Sequence, residues 1–430
     1  MSEHSFNGDS MMIYDVIVIG AGIAGMVAAR ELKTKRFQVL LLEANDRAGG
    51  RIWSSAFPGT DVVVEWGAEW VVTGYHHALC AEAARYGVAL EEAGDVVPPR
   101  WIIHGEEIIG SYADVKRLRP GFAGMMAQIE KDATQSSEYL KSVTALSMRD
   151  YVLSLNGSAM DAGLVEAAFF GFMGGGPTEV AASAMWTEIR FHGGSIDETI
   201  DAASTRLQGG GSRIIVGLAE ALGADLFLSH GVEAIDDRGD FVVVKTAANQ
   251  FKARKVIVAL PLLAVKAIHF NPPLSVEMSV LAEKANAGRS VKVWALAQGK
   301  VSPGTCYFSG HPFGVSYARM IGEGRYLLGA PSLSASVMPI GEEGWKKAFA
   351  DLYPGLEILS ATTYDWSADA LIRGSWQVDR AGFGGRVAPA FAREFGNIRF
   401  AGGDVAELWS GWMEGAILSG HKAAHEIAMA

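Results

Sequence analysis

A chain of 430 residues is too long for a single core, so two domains are expected, interleaved in sequence. Apolar side chains make up 49% of it, and 37 basic against 48 acidic residues leave a net charge of −11, which argues against a nucleic-acid or anionic-membrane partner. Only Cys80 and Cys306 are present, allowing at most one disulfide and no thiolate metal cage.

The first ten residues, MSEHSFNGDS, lack the basic start and apolar centre of a signal peptide. No apolar run approaches the roughly 20 residues that span a bilayer. A cytoplasmic location without membrane partners is expected, and a homodimer is left open.

Tyr14 to Arg51 reads as a βαβ unit. Asp15 to Ile19 is a short β-branched run suited to a strand buried on both faces. Gly20, Gly22 and Gly25 follow at GxGxxG spacing, with Ile23 and Ala24 between them. The first glycine allows the tight turn, the second lets backbone approach a phosphate, and the third lets helix pack on strand. The unpartnered N–H groups at the helix start bind an anion without a basic side chain. Val39 to Leu42 is the second strand, and Glu43 lies 23 positions after Gly20. An acid there takes ribose hydroxyls and repels a 2′-phosphate, so the ligand is FAD or NAD rather than NADP. Arg47, Gly50 and Arg51 continue the pattern.

Asp61 to Glu65 reads as a strand, and Trp66 to Trp70 as a glycine turn between two indoles. The segment from Pro98 to about Arg119 suggests a small hairpin. From Gly121 to about Leu164 the pattern is helical, with Met125, Met126, Ile129, Tyr139, Val143 and Leu146 at spacings of three and four. Phe169, Phe170, Phe172 and Met173 form an apolar patch closed by Gly174 to Pro177, a core segment or a pocket wall. Gln208 to Arg213 is a tight connection into a helix from Ile214 to Leu222, and Leu226 to Ser229 resumes a strand. A hairpin around Asp237 to Gly239 and a strand Lys255 to Leu260 follow. Ser290 to Leu296 is a further strand that carries Lys292 in an apolar run. Asn397 to Asp404 reads as a strand and glycine turn, and Trp412 to Ala416 opens the last helix.

The DRAGGR segment after the second strand and the closing FAGGDVAELWSGWMEGA resemble the flavin-containing amine oxidase family, to which monoamine oxidases belong. The resemblance spans nearly the whole chain, and it favours FAD over NAD. It implies an α/β fold with a Rossmann-type FAD-binding domain (residues 12–80, 205–285 and 386–430) interleaved with a mixed-sheet and helical substrate domain (81–204 and 286–385). It places the turn of Gly67, Ala68, Glu69 and Trp70 beside the flavin ring. It adds cofactor contacts at Ala44, Val232, Trp366, Gly403, Asp404, Met413 and Ala416. Asp404 would accept from ribityl or ribose hydroxyls. The closing helix would aim its positive end at the flavin pyrimidine, where negative charge develops on reduction.

By the same resemblance Lys292 holds a water against flavin N5 and assists reaction with oxygen; taken alone, it reads as a lysine snorkelling from an edge strand. Trp376 and Trp412 match the two aromatic positions that flank the substrate amine. Monoamine oxidases carry Tyr there, so a slot between two indoles departs from the pattern. Covalent members have Cys where Ser375 stands, which implies non-covalent FAD. The implied reaction passes hydride from the amine α-carbon to flavin N5, releases an imine, and uses oxygen or another acceptor.

GGDV, GSW and the overall length most resemble the bacterial 6-hydroxynicotine oxidases, alkaloid-degrading enzymes, and imply a heterocyclic secondary or tertiary amine. An L-amino-acid oxidase is the enzymatic alternative, with Arg190 or Arg373 as the carboxylate ligand. A non-catalytic flavin scaffold or redox sensor is the alternative of another class. No GxSxG, HExxH or CxxC occurs, and His76 and His77 read as opposite faces of an extended segment, so no metal is expected.

Overall fold

The computed structural model describes residues 12–92, 97–135, 145–202, 205–334, 338 and 340–430. Residues 1–11, Tyr139 and Val143 lie outside them.

Val16, Ile17 and Val18 are fully buried because the strand Ile13–Ile19 has neighbours on both edges and layers on both faces. It pairs in parallel with Val39–Leu42 on one side and Gln250–Val258 on the other, Val18 facing both Leu41 and Ile257. This eight-stranded sheet runs in the order Leu226–Phe227, Val39–Leu42, Ile13–Ile19, Gln250–Val258, Val242–Thr246, Val232–Asp237, His269–Asn271. Ile398–Phe400 joins it beside Gln250–Val258. The strand expected from Lys255 therefore starts at Gln250. Its first half is paired by the hairpin partner Val242–Thr246 and its second half by Ile398–Phe400. Ile19 aligns with Val258, and Val258 with Phe400, so three chain segments end at one crevice at the carboxyl ends of the strands.

The helices Ile23–Thr34 and Met413–Met429 pack together over this sheet. Gly420 permits the contact, since a Cβ there would stand 2.4 Å from the carbonyl oxygen of Ala24. Helix His77–Arg85 joins the same core through Leu79 and Ala83, so a domain boundary at residue 80 falls inside it.

The second sheet has seven strands: Leu356–Tyr364, Ser290–Gly299, Arg325–Leu333, Val315–Gly322, Thr305–Ser309, Arg100–Ile103 and Glu106–Ile109. Ser290–Gly299 is interior, which removes the edge-strand reading of Lys292. The hairpin expected to reach Arg119 ends at Ile109, because Ser111 and Asp114 form a capping box that opens a helix at Tyr112–Leu118. The helical stretch expected from Gly121 to Leu164 includes Pro120–Ala133, Met148–Ser154 and the start of Ala159–Met173, the last two begun by the side-chain caps of Ser147 and Ser158. A small sheet unforeseen in the sequence, Trp70–Val71 with Thr205–Leu207 and Leu90–Glu92, ties the two halves together.

Candidate active site

A cavity of about 870 Å³ runs from the first glycine turn to the second sheet. Its dinucleotide end is backbone-built. Gly22 is the N-cap of Ile23–Thr34, with no side-chain cap and no acid in the first turn, so its N–H groups are available to an anion. A Cβ on Gly22 would meet no atom within 4 Å, whereas one on Gly25 would lie 2.0 Å from the Gly20 oxygen. Gly22 thus faces the cavity and Gly25 the strand. The Glu43 carboxylate is fixed by the N–H groups of Ala21 (2.7 Å) and Asn45 (2.8 Å). Arg47 donates to the Gly50 carbonyl and lies 4.8 Å over the Trp53 ring, where burial pushes its pKa down. This cradle fits a pyrophosphate and an adjoining ribose.

Of the cofactor and catalytic residues put forward from the sequence for the flavin amine oxidase reading, all line this cavity except Gly25 and Asp404. Asp404 is 2% exposed; one oxygen lies 2.7 Å from the Arg51 guanidinium and the other accepts from the Leu262 N–H at 2.8 Å. It anchors Arg51, which lines the cavity and also donates to the Ser375 carbonyl at 2.7 Å, while its Oδ1 is buried and accepts no hydrogen bond among the described residues. Trp366 donates to the Trp66 carbonyl and lies close to Gly67.

At the second sheet Lys292 Nζ donates to Glu69 Oε2 (2.6 Å) and to the Gly67 carbonyl (3.0 Å). The Tyr317 hydroxyl donates to the same Glu69 oxygen at 3.0 Å, and Arg206 stands 3.5 Å from the other. Burial alone would raise the Glu69 carboxyl; Lys292 outweighs it, with Arg206 and Tyr317, and holds the pKa below the usual range. Nearby Glu65 lacks such a partner and is pushed up to about 7 by burial, despite bonds from Gly211 and Ser54.

Trp376 donates its indole N–H to the Phe172 carbonyl at 3.1 Å, and Gly174, with φ 55°, leaves its ring room. The apolar patch before Gly174 serves both expected roles, since Phe169 is core while Gly171 and Phe172 line the cavity. Trp412 donates to Glu188, 3.2 Å from each carboxyl oxygen. Glu188 is buried, and desolvation raises its pKa to about 8, so it is an uncharged acceptor at neutral pH. His76 and Trp409 pack on the Trp412 ring. His76 is fully buried and accepts from the Val72 N–H through Nδ1, while His77 starts a helix, so the extended reading of this pair is corrected.

Sequence reasoning missed Glu188, Arg206, Tyr317 and Arg319. Glu188 sits three residues after Met185 on the buried face of Ala182–Phe191, a signal that helical spacing could have given. Arg190 and Arg373 do not line the cavity: they bond to the Ala133 carbonyl and Thr187 and to the Ala370 carbonyl, respectively.

A phosphate-binding βαβ crevice that opens onto an aromatic chamber defines a dinucleotide-dependent oxidoreductase of small molecules. The chain belongs to the flavin containing amine oxidoreductase family, whose model matches residues 23–428. It is 27% identical to a pseudooxynicotine dehydrogenase of a Pseudomonas species, over 96% of this chain and 86% of the relative. It is also 27% identical to the (S)-6-hydroxynicotine oxidase of Paenarthrobacter nicotinovorans, over 96% and 99%. Cyclohexylamine oxidase from Brevibacterium oxydans shares the fold, with TM-score 0.87 at 21% identity over 97% of this chain and 99% of that one. The protein is a flavin-dependent amine oxidase and its cofactor is FAD.

Proposed function

We propose that the protein oxidises a small secondary or tertiary amine, of the heterocyclic kind named for its relatives, to an imine, with dioxygen as acceptor and hydrogen peroxide as the second product. The observation that carries this reading is the shared cavity: Lys292, Trp376 and Trp412 line the same chamber as the phosphate cradle. When bound, FAD supplies the two-electron oxidation of the C–N unit and its own reoxidation by oxygen.

The chain's residues supply orientation and electrostatics. The indoles of Trp376 and Trp412, each fixed by its N–H, hold the uncharged amine by their faces and keep water from the reacting carbon. Glu188 fixes Trp412 without adding charge beside the slot while it stays protonated. Lys292 spends two donors on Glu69 and Gly67, and its third is available to hold a water where oxygen reacts. No side chain need act as base on carbon.

Anaerobic mixing with primary, secondary and tertiary amines, followed by flavin absorbance, tests the reading. Bleaching by a secondary or tertiary amine is expected; a flavin that no amine bleaches overturns it.

A further inference from the structure

The wall opposite the cradle carries more positive charge than the redox reaction needs. Val315, Tyr317 and Arg319 alternate along Val315–Gly322 and line the cavity. Arg319 is half-buried and has no hydrogen-bond or ion-pair partner among the described residues. Burial lowers its pKa, and the neighbouring Arg206 lowers it further, against the weaker attraction of Glu91, Glu69 and Tyr317. Arg206, whose side chain is 15% exposed, reaches Glu69 at 3.5 Å and Glu91 at 4.0 Å, so both contacts are loose. Its Nε–H is buried without an acceptor among the described residues. Glu69 is committed to Lys292 and Tyr317, and Glu92, the other acid on this side of the cavity, is exposed.

Two like-charged guanidinium groups, one unpaired and one with an orphaned donor, are costly to bury beside an apolar chamber. They also repel an incoming ammonium, the form in which a simple aliphatic amine exists near neutral pH. A substrate that brings its own anion answers both costs, and a carboxylate matches the guanidinium fork.

We propose that the amine substrate of this enzyme carries a carboxylate, bound by Arg319 and Arg206 and separated by a spacer from the carbon that is oxidised. The proposal rests on the amine oxidase reading and narrows its substrate class. The spacer follows from register. Arg319 faces Leu327, Leu327 faces Leu296, and Leu296 stands four residues beyond Lys292. At about 3.3 Å per residue, that is roughly 13 Å along the sheet from the lysine row. Arg206, 3.5 Å from the Glu69 carboxylate that Lys292 bonds, stands nearer the lysine than this, so it is Arg319 that sets the spacer.

The test uses the holoenzyme, with a ladder of N-methyl ω-amino acids and the N-methylalkylamines of equal chain length, compared by kcat/KM for anaerobic flavin reduction. A preference for the acid of tenfold or more at one chain length is expected, and Arg319→Met should reduce that ratio by at least tenfold. Arg319→Lys, which keeps the charge and the stem but loses the fork, should fall between. A second readout needs no turnover: short-chain monocarboxylates should perturb the flavin spectrum of the parent at lower concentration than that of Arg319→Met. Amines oxidised with no preference for the acid, or a preference confined to α-amino acids, overturn the proposal and leave the amine oxidase reading intact. Arg319-dependent carboxylate binding in an enzyme that no amine reduces has the opposite meaning: the anion site stands and the oxidase reading falls.

Discussion

Lys292 Nζ lies 2.6 Å from Glu69 Oε2, although 223 positions separate the two residues in sequence. The pair couples the glycine turn beside the cofactor cradle to the interior strand of the second sheet. The Glu69 side chain is 1% exposed, so removing Lys292 alone leaves a buried carboxylate short of its main partner. Breaking such a pair typically costs about 3–5 kcal/mol.

Lys292→Met should therefore lower the melting temperature as well as slow flavin reoxidation by oxygen. The double variant Lys292→Met, Glu69→Gln removes the stranded charge and should recover most of the melting temperature while reoxidation stays slow. Stopped-flow measurement of both half-reactions checks this; reoxidation at the parent rate in the double variant would show that the lysine serves structure alone.

Trp412→Ala opens the slot and frees Glu188 from its indole partner. Anaerobic reduction should slow by roughly tenfold at saturating amine, corresponding to about 1.4 kcal/mol of barrier, because orientation is lost and not only affinity. Reduction at the parent rate once saturated would refute a cage role.

Glu188 gives a pH prediction. Its folded pKa of about 8 lies above the ordinary carboxylate range, so across the interval between them the native state holds a proton that the unfolded chain has lost. Its stabilising contribution is complete below about pH 4 and is lost as pH rises through 8, at up to about 1.4 kcal/mol per pH unit. Glu188→Gln keeps an acceptor for Trp412 and has no such slope. Its melting temperature should gain on the parent between pH 5 and pH 9, as read from paired thermal melts; parallel curves would place the ionisation elsewhere.

Gly22 and Gly25 should separate binding from folding. A side chain at Gly22 enters open cavity, so Gly22→Val should give a folded apoprotein with little flavin. Gly25→Ala places a methyl group 2.0 Å from the Gly20 oxygen and should destabilise the apoprotein itself. Apoprotein melts beside flavin-to-protein ratios distinguish the two; equal stability losses would contradict the assignment.

The Ser375 Oγ accepts from the Ser290 N–H at 3.1 Å, and a hydroxyl there forms no thioether to the flavin ring. Acid precipitation should release the yellow cofactor into the supernatant. Colour that stays in the pellet would reveal a covalent link elsewhere.

The local signals in the sequence were strong where chemistry depends on neighbouring residues. The strand, glycine turn and helix from Ile13 to Thr34, with Glu43 after the second strand, are set by backbone geometry over a short span, and so were legible as a dinucleotide cradle. The closing segment likewise showed its strand, glycine turn and helix start. Even there the hold of Arg51 and Leu262 on Asp404 was not legible, because both reach it from other parts of the chain.

Tertiary structure decided what depends on distant pairs. Lys292 became interior because Leu356–Tyr364 closes one edge of its strand and Arg325–Leu333 the other, and alternation along one strand cannot show which neighbours it will have. Arg206 reached the cavity through its pairing with Trp70, in a three-stranded sheet that sets Thr205–Leu207 between two segments more than one hundred positions earlier in the chain. The charge states follow the same rule. Glu188 is neutral and Glu69 ionised because desolvation acts on both while only Glu69 meets Lys292, and neither burial nor partner is a property of the residue type or its sequence neighbours.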